Sequence, residues 1–317
     1  MIHLDPATAS PAAPPTVPAW ALAGGSALND ADAAFQAGAA LASLDVLARA
    51  QASWAGAWRQ RLALNCAAAS MRLAGRDEDA AALRDAWHLR PVGGDPGPAG
   101  AVFGAWRQLA VQSPAANADR LGKIVDQMGL HWDGAALADL CTDIEKLAGS
   151  PRPSPFAAAA IVAGVVATRP DAELFAWWLA DLVLAQNLRW PRPLPLLMSQ
   201  VYSPAFRAEN GGKRIRPGEK GFERGICIAL VQAAADACRL AAELSRRAER
   251  LLAAAPKLRA KGAGEVIVLL LNEDVVSGSL TTNNLSRFAA RRLFERLQQL
   301  DAVRELSGRT SFRLFGL

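Results

Sequence analysis

Apolar residues recur every three or four positions along most of this chain, the spacing that gives a helix one buried face. The pattern predicts helices over 30–50, 54–73, 77–88, 99–111, 113–129, 134–147, 156–167 and 171–188, and one long helix over 226–255. In the second of these, Trp58, Leu62, Asn65 and Ala69 make one stripe, and Gly75 is placed to end it as a left-handed C-cap glycine. The stretch 156–167 is nearly all apolar and is expected to be buried on every side. Proline and glycine punctuate the pattern at 93–98, 150–155 and 190–193. Residues 209–225 read as a polar loop and 257–264 as a linker.

The pattern changes near the end. Residues 265–276 form a helical segment with Val266, Leu269 and Leu270 inward, and 277–282 hold a short second helix or a turn. Ser286 is placed to cap a third helix, since its hydroxyl can accept an orphan amide of the first turn. Ala290, Leu293, Phe294, Leu297 and Leu300 give that helix one apolar stripe. Two short extended runs, 303–306 and 311–315, flank Ser307-Gly308-Arg309-Thr310 and predict a hairpin. Helix, turn, helix, hairpin is the order of a winged helix-turn-helix. A helix fits the major groove of DNA, and arginines on a wing neutralise phosphate. Arg287 and Arg291 on the third helix, and Arg309 and Arg313 on the hairpin, are the candidate DNA-binding residues.

The expected fold class is therefore mainly α: a multi-helix bundle with a C-terminal winged helix-turn-helix. The expected divisions are a flexible arm over 1–27, a helical domain over 28–150, a helical core over 151–261 and the winged helix over 262–317. Trp177 and Trp178 cannot share a helix face, so one is expected in the core and the other at a domain or subunit contact.

Composition narrows the partners. The chain carries 35 Lys and Arg against 30 Asp and Glu, unevenly placed. From Lys213 onward there are 19 cations against 11 anions; before it, 16 against 19. A basic C-terminal third suits a polyanion or is simply solvated. Cys66, Cys141, Cys227 and Cys238 lack Cys-x-x-Cys spacing and read as small core residues of a reducing compartment. His3, His88 and His131 are too scattered for a zinc site. No basic-then-apolar leader and no run of about eighteen apolar residues is visible, so the expectation is a cytoplasmic protein with no membrane contact, no metal and no cofactor.

Other chemistry reads as structural. Gly211-Gly212-Lys213 and Gly218-Glu219-Lys220-Gly221 look like a phosphate loop, but neither lysine precedes Ser or Thr, so a solvated basic loop is expected, with added phosphate contacts as the alternative. Asp139 and Asp143 share a helix face with no third ligand in the sequence nearby, which suits a solvent face. The pentapeptide Gly56-Ala57-Trp58-Arg59-Gln60 returns as 104–108; two copies alone do not establish a repeat architecture.

Nearly the whole chain resembles the bacterial domain-of-unknown-function family 1403, through Trp54–Leu64, Asp95-Pro96-Gly97-Pro98 and Ala176–Asp181. The tail, 293–297 and 308–314, resembles the winged helix attached to many Fic-domain proteins. Ser70–Gly75 and Phe175–Leu197 resemble helical segments of that fold. Fic enzymes transfer nucleotide through a His-Pro-Phe-x-x-Gly-Asn-Gly-Arg loop. The corresponding stretch, Thr168–Glu173, has no His, Gly or Asn, and Ala74 stands where the inhibitory Glu would be. The resemblance thus implies a degenerate Fic-like core without catalysis. The expected function is a DNA-binding regulator or accessory factor, with a protein partner or homodimer allowed. The alternatives are a helical interaction protein with a purely structural winged helix and, more remotely, a Fic-type nucleotidyl transferase.

Overall fold

A computed structural model describes residues 14–23, 28–91, 93–208, 213–309 and 311–317. Eleven α-helices run through the described chain: α1 Asp30–Arg49, α2 Ala55–Leu73, α3 Ala80–His88, α4 Gly97–Val111, α5 Ala118–Gln127, α6 Gly134–Gly149, α7 Ser154–Thr168, α8 Glu173–Asn187, α9 Phe222–Ala254, α10 Ala263–Asn272 and α11 Arg287–Gln299. Three short strands, β1 Val276–Ser277, β2 Arg304–Glu305 and β3 Leu314–Gly316, form an antiparallel sheet with β3 in the centre. The protein is mainly α.

Local chemistry sets the helix ends. The side chains of Asn29, Asp79, Asn117, Asp133 and Ser286 each accept a backbone N–H in the first turn of α1, α3, α5, α6 and α11. Pro155 starts α7, where a missing N–H costs nothing. Gly75 follows α2 at φ +70°, a conformation that favours glycine.

The buried side chains form one contiguous cluster from Val17 to Leu317. At its heart α8 packs on α7, α1 lies along α9, and α2 lies on α4. Every residue from Phe175 to Ala185 is buried. Trp177 and Trp178 are both buried: Trp177 packs on Phe206 and Phe222, while Trp178 reaches across to α4, in the stretch expected as the N-terminal helical domain. Three fully buried indole N–H groups on different helices have acceptors. Trp178 donates to the Ala105 carbonyl at 3.0 Å, Trp58 to the Ala237 carbonyl at 3.0 Å and Trp106 to Ser70 Oγ at 2.9 Å. The pentapeptide pair has a structural basis as well. Trp58 and Trp106 are both fully buried, and Gly56 and Gly104 both admit close neighbours, Asn272 and the Trp87 ring.

Helix α9, extended to Lys257, is long and apolar enough to cross a membrane by length and composition, and 72% of its apolar window is buried inside the protein. Within the stretch read as an N-terminal arm, Val17 and Ala21 are buried and Trp20 stacks on Phe35 of α1 at 5.4 Å. The remainder of that stretch, 1–13 and 24–27, lies outside the described residues. Cys66, Cys227 and Cys238 are buried and Cys141 is half-buried; all four are free thiols.

Candidate nucleic-acid interface

The last 55 residues have the order α10, β1, turn, α11, β2, β3. No second helix forms between β1 and α11 among the described residues; a turn closed by a Thr282–Leu285 bridge takes its place. On α11, Ala290, Leu293, Phe294 and Leu297 are buried. Phe294 stacks on Phe315 of β3 at 4.5 Å with the rings 11° apart, fixing the helix against the sheet. The sheet register sets Phe315 opposite Val276 on one side and Glu305 on the other. Gly278 gives the Phe315 ring room, since a Cβ there would stand 2.7 Å from it.

The outward face of α11 carries Arg287, Phe288, Arg291, Arg292, Glu295 and Arg296, all exposed. Arg287 and Arg292 have no acid partner among the described residues, whereas Arg291 meets Glu295 at 3.2 Å. The hairpin arginines are placed differently from expectation. Arg309 was expected to stand free at the tip. It is ion-paired with Asp85 of α3, because the hairpin folds back onto the helical body. Arg313 acts as a strut, donating to Gln298 of α11 at 3.1 Å and lying 5.1 Å from the Phe315 ring centroid. Two of the four predicted residues, Arg287 and Arg291, therefore share an open surface, and two are engaged within the protein.

A groove of about 420 Å³ separates α11 from the hairpin, with Arg287, Phe288, Arg291, Phe312 and Arg313 around it and Phe294 and Phe315 behind. Phe288 is 80% exposed and Phe312 60%. Phe288 and Arg292 went unnoticed in the sequence, and Phe312, which the sequence pattern placed with Leu314 against the α11 stripe, is exposed while Leu314 is buried. The signal was there for Phe288: it falls off the stripe of Ala290, Leu293, Phe294 and Leu297.

This surface is held on the body by buried charge. Asp274, fully buried after α10, accepts from Arg84 of α3 at 2.6 Å and from Arg61 of α2. Burial pushes its carboxyl up, but Arg61 and Arg84 outweigh that and hold it below the ordinary range. Glu273 pairs with Arg107 of α4 at 2.5 Å. A Cβ on Gly56 would stand 2.6 Å from the Asn272 backbone, so α10 seats directly on α2. Nearby, burial and the surrounding arginines push His88 down to about 3.

The other sequence candidates do not assemble into sites. Asp139 and Asp143 line an open groove of about 710 Å³ between α6 and α7, where Asp143 pairs with Lys146 at 3.0 Å. No group of metal-ligating side chains occurs among the described residues. Thr168–Glu173 forms the end of α7 and a 3-10 turn leading into α8, with Arg169 bonded to Asp171. Gly211 and Gly212 lie outside the described residues.

No curated protein and no solved structure shows a match to this chain. A family model, described as Protein of unknown function (DUF1403), matches residues 6–317, and the chain belongs to that family.

Proposed function

We propose that the C-terminal unit is a winged helix that binds DNA, with α11 entering the major groove and the protein acting as a non-catalytic regulator or accessory factor in the cytoplasm. Its element order, with β3 between β1 and β2, supports the winged-helix reading. The observation that carries DNA binding is the outward face of α11, where Arg287, Arg291 and Arg292 face away from the body. Arg287 follows the Ser286 cap directly, in the first turn, where groove contacts concentrate. Arg309 reaches phosphate only if its bridge to Asp85 opens. A Fic-like core enters this proposal only in degenerate form, because the segment entering α8 supplies neither a histidine base nor phosphate-cradling glycines.

The test is binding of the full chain to a labelled random duplex. Arg287→Ala and Arg291→Ala are each expected to weaken binding to all sequences alike if they contact backbone. A loss confined to particular base positions would assign that arginine to base readout. The second reading, a helical interaction protein whose winged helix is structural, draws on the pairs that pin the tail to α2, α3 and α4. It is the right one if the wild-type protein and the alanine variants bind equally weakly.

A further inference from the structure

The groove between α11 and the hairpin has features that duplex binding does not use. Its two walls each set a phenylalanine beside an arginine in sequence, Arg287-Phe288 on the helix and Phe312-Arg313 on the hairpin. Both rings stand in solvent, although burying an aromatic ring is among the larger gains available to a folding chain. Phe312 also holds φ +55°, a left-handed conformation in which a bulky residue is strained. The ring this presents is mostly exposed, so core packing does not account for it. Strain of this kind collects where a side chain must be presented outward. The groove's volume of about 420 Å³ lies within the roughly 300–1,000 Å³ of small-ligand clefts.

We infer that this groove holds an unpaired base of a nucleic-acid strand, stacked on Phe288 and Phe312, while Arg287 and Arg291 meet the flanking phosphates. The inference rests on the DNA-binding reading and names the substrate class of that same surface: DNA with a single-stranded segment beside a duplex. Alternating rings and guanidiniums suit this ligand, because every base offers a π face and every nucleotide a phosphate. A protein partner would meet a cationic rim here, with Arg287 offering no acid-paired charge.

The test uses the full chain and two probes, a blunt duplex and the same duplex carrying a single-stranded thymidine overhang. Tighter binding to the overhang probe is expected. Phe288→Ala and Phe312→Ala should each weaken that probe by about 5- to 150-fold and leave the blunt duplex little changed. Phe288→Leu, which keeps an apolar side chain without the π face, should not restore the affinity. Both rings are exposed, so the variants should fold, and circular dichroism checks this. Equal affinity for the two probes, indifference to Phe→Ala, or full activity of Phe288→Leu overturns the inference. If the blunt duplex then still responds to Arg287→Ala, the DNA-binding reading survives; if neither probe binds, both fall.

Discussion

Helix α8 buries every residue from Phe175 to Ala185, whereas α11 buries only Ala290, Leu293, Phe294 and Leu297. The two helices are close in length. The first has Trp177 on one face and Phe175 and Trp178, stacked at 6.2 Å, on another, and the body closes around all of them. The second has arginines on every side but one. Their buried carboxylates differ too. Asp181 on α8 accepts two backbone N–H groups, of Leu196 at 2.8 Å and Leu197 at 3.2 Å, with no cation bonded to it among the described residues, and burial pushes it up to about 8. Asp274 beside α10 has two arginines and is held low. In the body, the buried Asp181 is satisfied by backbone N–H groups. The C-terminal unit joins the body through apolar packing and buried charge, and leaves further charge facing outward, which is where a ligand can act.

The largest effect expected from breaking this contrast lies in α8. Trp178→Ala should cost about 3–5 kcal/mol in denaturant unfolding, through the cavity and the lost bond to Ala105. A loss below about 1 kcal/mol would mean that α8 is not enclosed. Asp274→Ala comes next. It leaves Arg61 and Arg84, at 17% and 13% side-chain exposure, without their shared acid, and should cost about 3 kcal/mol. It should also loosen residues 262–317 relative to the body, seen as faster amide exchange in α10. Unchanged exchange there would show that apolar packing alone holds the unit.

The pH response should separate the two regions more gently. His88 and Asp274 both have lowered values, so the stability they contribute is full above about 6.5 and about 3.8 respectively. It is lost as the pH falls through their lower folded values. Asp181 is raised, so its contribution is full below about 3.8 and is lost as the pH rises through about 8. Acidification should therefore remove the stability that His88 and Asp274 contribute, while that of Asp181 should decline as the pH rises from about 3.8 to about 8. Asp181→Asn should remove the decline between about pH 3.8 and 8 that this group causes, as read from unfolding midpoints across pH.

Much of this was readable in the sequence because it depends on local rules. The helical periods, the Ser286 cap, the Leu293/Phe294/Leu297 stripe and the closing hairpin follow from spacing and turn chemistry. What was not readable depends on residues far apart in the chain. Arg309 was placed free at the hairpin tip because nothing near it in sequence shows that Asp85 lies opposite. Trp177 and Trp178 were divided between the core and a domain or subunit contact; a helix wheel cannot show that both are buried or that Trp178 meets α4. The clamp at Asp274 joins residues about 190 and 213 positions apart, beyond any local pattern. For the candidate interface, the exposed placement of Arg287 and Arg291 on α11 was legible and that of the phenylalanines was not, because Phe288 and Phe312 line one groove only once the hairpin has folded beside α11.

The central claim, that α11 presents a DNA-binding face, is tested most directly by the salt dependence of duplex binding. Each phosphate contact adds about 0.9 to the steepness of log affinity against log salt. The double variant Arg287→Ala/Arg291→Ala should lose about two units of that slope relative to the wild-type chain, with unfolding stability within about 0.5 kcal/mol. Arg309→Ala, already engaged with Asp85, should change the slope less. A wild-type slope near zero, or one that the double variant leaves intact, would contradict the claim.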